Sequence, residues 1–260
     1  MDYEGFKKEI YKMTGINLTL YKEKQMKRRI DALIEKNKFA DYNTYVNAIK
    51  LDKQLYNEFI NYLTINVSEF YRNPEQWKVL ETEIIPMLLK NNKTLKIWSS
   101  ACSTGDEPYT LAMVLSKFMP LTSIKIVATD IDKEAINKAK TGIYGYKSVE
   151  SLPKEFLNNF FSVEEGMYKI SDEIKKCIDF KQLNLLADAY PSENDLIVCR
   201  NVLIYFTEEA KNFIYERFNK SLKFGGVLFV GSTEQIIMSN KYGFKSVKTF
   251  FYLKENDKIG

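Results

Sequence analysis

The chain has 260 residues, 45% apolar and 28% charged, with 38 Lys and Arg against 34 Asp and Glu and no histidine. That is an ordinary soluble globular composition, long enough for one large domain beside a small one. The missing imidazole excludes histidine-based triads and the usual general base, and it removes most transition-metal sites.

Three cysteines, Cys102, Cys177 and Cys199, lie far apart without CxxC spacing. This argues against a disulfide framework or a zinc site and for a reducing cytoplasm, so no metal is expected. No uncharged apolar run of about 18 residues occurs, and the opening MDYEGFKKEIYKM has no apolar h-region. Neither a membrane span nor a secretory signal is therefore expected. Residues 1–72 carry 13 Lys and Arg against 10 Asp and Glu, and residues 73–260 carry 25 against 24. The excess is a local patch, too small for a general nucleic-acid signature.

The first 65 or so residues read as helices. Over Glu23–Asn37, Met26, Ile30, Leu33 and Ile34 form one apolar stripe, with Lys24, Lys27 and Arg28 on the opposite, solvent face. Tyr42–Ile49 and Leu51–Leu63 continue the pattern. NVSEFYR, Asn66–Arg72, stands at the junction to a different texture, and Arg72 there is either a site residue or the partner of an acidic neighbour. Beyond it, strand-like runs at Leu95–Ser100, Ile124–Thr129, Ile178–Leu183, Leu196–Cys199 and Val227–Val230 alternate with helical stretches. Such alternation implies βαβ units, a largely parallel sheet, and a ligand crevice at the carboxyl ends of the strands. Phe244–Val247 and Thr249–Leu253 look like a last strand pair. About 35 residues before Ile178 are too many for a helix-to-strand loop, so residues 145–177 read as an inserted subdomain with a short strand near Met167–Ile170.

The first strand runs into SSACSTGDEPYTLAMVL, small residues followed at once by a helix start. Small side chains let the backbone approach a ligand, and the helix start supplies free N–H groups. Gly105 is the single glycine of this turn, so the dinucleotide fingerprint is absent and a nicotinamide enzyme is disfavoured. Glu107 either closes a capping box with Thr104 or points at a cationic group such as the ammonium of a methionine moiety. Asp130, ending the second strand, suits two ribose hydroxyls, and Asp132 is better placed to cap the next helix. Asn184 and Leu185 suit an adenine ring. Arg200, directly after the fourth strand, is either a charge placed in the crevice or a surface loop residue, and Tyr205, five residues on, either reaches the same crevice or packs as an ordinary aromatic.

These segments together resemble the bacterial chemotaxis receptor methyltransferases of the CheR type, in order over nearly the whole chain: NVSEFYR, WSSACSTGDEPYTLA, ATDIDKEAINKAKTGIY, NLL, CRNVLIYF and FGGVLFVGSTE. The resemblance implies an α/β fold: a Rossmann-like S-adenosylmethionine-dependent methyltransferase sheet with a small N-terminal all-α domain (1–65), and a domain over 66–260 holding the small β-subdomain. It implies that Asn66, Ser68, Arg72, Glu107, Asp130, Asn184, Leu185, Cys199 and Arg200 line the cofactor site. Arg72, Arg200 and Tyr205 would orient a glutamate carboxylate, leaving S-adenosylhomocysteine as product. Lys24, Lys27 and Arg28 would meet the cytoplasmic helical bundle of a chemoreceptor. A cytoplasmic monomer without nucleic-acid binding or membrane insertion is expected. Ser68 stands where Thr is commoner, Asp106 where Glu is frequent, and GSTEQ where GHSE is usual. The turn FSVEEGMYKIS has one glycine, so docking of a receptor tail is not expected. A methyltransferase for another substrate and a cofactor-sensing module without turnover are the alternatives, the second disfavoured by retention of Arg72, Arg200 and Tyr205.

Overall fold

The structure is a computed structural model that describes residues 1–64, 66–90 and 92–255. The chain divides into two compact units, Met1–Asn66 with Val202–Phe213, and Val67–Asn201 with Ile214–Gly260.

The first unit is helical. Helix α1 (Tyr3–Thr14) starts where Asp2 accepts the Gly5 N–H and ends at Gly15, φ 72°. Helix α2 (Glu23–Lys36) buries the stripe Met26, Ile30, Leu33 and Ile34. Helix α3 (Tyr42–Leu51) opens with a capping box between Asp41 and Thr44, and α4 (Lys53–Thr64) buries Phe59 and Leu63. Phe59 meets Phe6 and Tyr45 edge-on at 6.1 and 6.0 Å, an aromatic centre that joins α1, α3 and α4. The segment Val202–Phe213 pairs into this unit through Lys22 N–H to Tyr205 O and Thr207 N–H to Leu20 O, both 2.9 Å.

The second unit opens with a helical run that the sequence pattern does not announce: α5 (Pro74–Val79), a π turn over Leu80–Ile84 and α6 (Ile85–Leu89). Pro86 has no N–H to continue an α ladder, and the Ile85 N–H reaches back to Leu80 O instead. The chain then passes through β1 (Lys96–Ser99), α7 (Asp106–Leu115), β2 (Lys125–Asp130) and α8 (Lys133–Thr141). The insertion follows as β3 (Ile143–Tyr144), α9 (Tyr146–Val149), α10 (Lys154–Phe160), β4 (Phe161–Glu164), β5 (Met167–Ile170) and α11 (Asp172–Lys175). Its three strands form a separate antiparallel sheet, β3-β5-β4.

The main chain of alternation resumes with β6 (Ile178–Gln182), β7 (Asn194–Cys199), α12 (Glu208–Ser221), β8 (Leu222–Val230), β9 (Phe244–Lys248) and β10 (Phe251–Lys254). The seven-stranded sheet has the order β6-β2-β1-β7-β8-β10-β9. Its first five members are parallel, and β10 runs antiparallel to both neighbours. Every residue of β7 is buried, and after Asn194 and Asp195 its sequence, Leu196–Cys199, runs apolar without alternation. The chain builds outward from β1 through β2 to β6, then returns to lay β7 on the other side of β1. The topological switch therefore lies between β1 and β7, and the crevice opens where Ser99 and Cys199 end them.

Candidate active site

The loop after β1 is fixed from below. Trp98 is fully buried and donates its ring N–H to Thr129 Oγ1 at 2.9 Å, and that hydroxyl donates to Ser100 O at 3.2 Å. The Ser100 and Cys102 N–H groups bond Val198 O and Thr129 O, both at 2.9 Å, tying the loop to β7 and β2. Gly105 sits at φ 93°, and a Cβ there would lie 2.8 Å from Ala139 Cβ. Only glycine fits this turn into α7. Left-handed backbone recurs around it at Tyr71, Asn73, Ser103 and Asn201, with φ of 56°, 60°, 45° and 60°. Such conformations persist where the surroundings over-determine them, commonly at functional sites.

Three charged side chains converge at the carboxyl ends of the strands. The Glu107 side chain is 12% exposed, accepts the Ser99 hydroxyl at 2.8 Å, and faces Arg200 NH1 across 3.8 Å. Burial pushes its carboxyl up to about 7, against the opposing pull of Arg200 and Ser99. Asp130, ending β2, accepts the N–H groups of Ser103 at 2.8 Å and Asp132 at 2.9 Å, and burial raises it to about 6. Arg200 follows β7 directly. Its NH2 donates to Arg72 O (2.7 Å), Asn73 Oδ1 (3.1 Å) and Gln76 Oε1 (3.0 Å). The guanidinium lies over the Trp77 and Phe229 rings at 5.2 and 4.9 Å. Its Nε is buried without a hydrogen-bond partner among the described residues.

The remaining sequence candidates fall into several places. Thr104 donates to Asp106 Oδ2 at 2.6 Å and Gly105 makes no side-chain cap, so the capping box with Glu107 does not form. Asp106 is fully buried, and that burial raises its carboxyl above the ordinary value against the opposing hydrogen bond from Thr104. Asp132 caps α8 through the N–H groups of Glu134 and Ala135. Arg72 is half-buried and donates to Val67 O at 3.3 Å, with no acid paired to it among the described residues. Asn184 accepts the Leu186 N–H, Leu185 is buried, and Cys199 is fully buried at the end of β7. Asn66 and Tyr205 belong to the first unit, where the Asn66 amide donates to Thr64 Oγ1. Lys24 and Arg28 are exposed on α2. Lys27 departs from the solvent-face expectation: it pairs with Asp31 at 2.8 Å and lies over the Tyr3 and Tyr42 rings, because α2 turns that side chain toward α1 and α3.

Two buried carboxylates raised by desolvation, with one guanidinium 3.8 Å from one of them, leave unmet demand for positive charge. A ligand carrying ammonium and sulfonium groups and a ribose diol fits those carboxylate acceptors. The family model for "CheR methyltransferase, SAM binding domain" matches residues 66–252, and that for "CheR methyltransferase, all-alpha domain" matches residues 1–64. The chain belongs to the CheR methyltransferase family. Proteins named "Chemotaxis protein methyltransferase" from Listeria innocua and Listeria monocytogenes are similar at 42% and 41% identity, each over 97% of both chains. A protein of that name from Borreliella burgdorferi is 34% identical over 88% of this chain and 86% of its own. The fold is thus that of an S-adenosylmethionine-dependent methyltransferase with a small N-terminal all-α domain and a small antiparallel sheet.

The CheR-type motifs do not reveal the cradle that holds Arg200. Gln76 and Trp77 stand 124 and 123 positions before it, and their one sequence signal is the Asn-Pro helix start just ahead of them.

Proposed function

We propose that the protein transfers the methyl group of S-adenosylmethionine to glutamate side-chain carboxylates on the cytoplasmic helical bundle of chemoreceptors, acting as a cytoplasmic monomer without a metal. The observation that carries this reading is the Arg200 guanidinium: buried, cradled through NH2, with Nε unpartnered and Glu107 3.8 Å from NH1. A buried donor left open calls for an acceptor brought by a ligand.

The bound cofactor would supply an electrophilic methyl group on a sulfonium. Glu107 would hold its ammonium and Asp130 its ribose hydroxyls. Asn184 and Leu185 would hold the adenine, and Asn66, Ser68 and Cys199 would line the remainder. Arg72, Arg200 and Tyr205 would orient the acceptor carboxylate. A glutamate side chain, ordinarily titrating well below neutrality, is ionised near neutral pH and needs no general base. The protein's contribution is alignment and charge placement, which a chain without histidine can provide. Lys24 and Arg28, with Lys27 held back by Asp31, would face the receptor, and no receptor tail would be required.

The test is incubation with labelled S-adenosylmethionine and a receptor cytoplasmic fragment. The wild type should label the fragment. Arg200→Ala should lower transfer by at least about 100-fold, as loss of one orienting charge does. Near-normal turnover in that variant would remove Arg200 from the mechanism.

A further inference from the structure

The end of β8 carries a buried acid that the methyl-transfer reading does not use. Glu234 lies four residues past β8, is 5% exposed, and turns back toward the strand ends. Its Oε2 accepts the Asn201 N–H at 2.6 Å and the Gly231 N–H at 2.9 Å, and its own N–H closes the turn on Gly231 O at 3.0 Å. Strands β7 and β8 are parallel neighbours with Cys199 opposite Val230. One carboxylate oxygen therefore ties together the backbone just beyond both strands. The arrangement needs glycine at 231, where a Cβ would stand 2.5 Å from Glu234 Oε2 and 2.9 Å from the Asn201 nitrogen.

Asn201 is the residue such a tie would fix. At φ 60° it holds the left-handed conformation, which asparagine tolerates better than other side-chain-bearing residues but shares with competing backbone states, and it directly follows Arg200. Hydrogen bonds to an ionised acceptor are roughly twice as strong as neutral ones, so a carboxylate suits the task. We propose that Glu234 is a positioning residue for Arg200: it locks Asn201 in the left-handed conformation and so sets where the Arg200 guanidinium stands. What Arg200 then orients rests on the methyl-transfer reading; the tie itself does not.

Two variants separate the tie from the charge. Glu234→Ala removes both N–H contacts, whereas Glu234→Gln keeps a carbonyl oxygen able to accept them. Glu234→Ala should lower kcat by about 100-fold while KM for S-adenosylmethionine stays within about threefold, and Glu234→Gln should restore most of the rate. Wild-type turnover in Glu234→Ala, or a Glu234→Gln enzyme as slow as the alanine variant, would overturn the proposal. Should Glu234→Ala fail to fold, Glu234→Asp, one methylene short of both N–H groups, is judged by the same readouts. Hydrogen exchange of the Asn201 amide needs no receptor. It should quicken in Glu234→Ala and stay near wild type in Glu234→Gln; unchanged exchange in Glu234→Ala overturns the proposal. A wild type that transfers nothing would sink the proposed function alone, and the amide exchange would still decide Glu234.

Discussion

At the scale of single residues, the site is a set of charges placed where the loss of water opposes them. Glu107 illustrates the cost. Its carboxyl lies at about 7 in the fold against an ordinary 4.5, so the folded state holds the proton more tightly than the unfolded state. Between those values the folded chain binds more protons, and stability falls as pH rises from about 4.5 to 7. Below that window both states are protonated and the penalty vanishes; above it the penalty is complete. Glutamine copies the protonated acid. Glu107→Gln should therefore match the wild type near pH 4.5 and exceed it by about 2–3 kcal/mol at pH 8 in urea denaturation without ligand. It should bind S-adenosylhomocysteine more weakly. A variant less stable than the wild type at pH 8 would mean that attraction to Arg200 outweighs the burial of Glu107.

Residue identities were unevenly legible. Asp130 and Asp132 could be told apart by position alone, since the strand end and the helix start differ by two residues, and Asp132 is the cap. Glu107 could not, because capping-box spacing fits it equally well; what decides is that Gly105 takes φ 93°, which carries Glu107 away from Thr104 and toward Ser99. Lys27 read as a solvated charge because one helix in isolation does not reveal Asp31 and two tyrosine rings waiting beside it.

At the scale of elements, the buried strands declared themselves through short apolar runs such as Leu196–Cys199 in β7, and β5 falls where Met167–Ile170 was expected. The run over 74–89 did not, because Pro86 breaks its period and a π turn absorbs the defect. The turn from β1 into α7 has no such slack. Gly105→Ala would add strain at a left-handed position and press a methyl group against Ala139. We expect a loss of about 2–4 kcal/mol in chemical denaturation, the sum of backbone strain and overpacking. A loss below about 0.5 kcal/mol, the range of ordinary surface changes, would show that the turn relaxes freely.

At the scale of the whole molecule, the chain's net charge of +4 is concentrated in its N-terminal part. Lys24 and Arg28 on α2 carry exposed charge. If that face meets an acidic receptor bundle, reversing both charges should weaken receptor binding by about tenfold or more at low salt and flatten its salt dependence. Affinity for S-adenosylhomocysteine should not change, and wild-type binding should survive removal of the receptor tail. Unaltered receptor affinity after the double reversal would place the docking surface elsewhere.

The claim on which the rest depends is the acceptor. The family places the chain among S-adenosylmethionine-dependent methyltransferases, and the chemistry of the site, with no histidine and a buried guanidinium, argues for a substrate that arrives ionised. Alkaline treatment of the labelled receptor fragment tests that directly. A carboxyl ester gives up its label as volatile methanol, with the modified positions mapping to glutamates, and this is the predicted result. Label that survives alkali, on a nitrogen, a sulfur or an alcohol oxygen, would contradict the account.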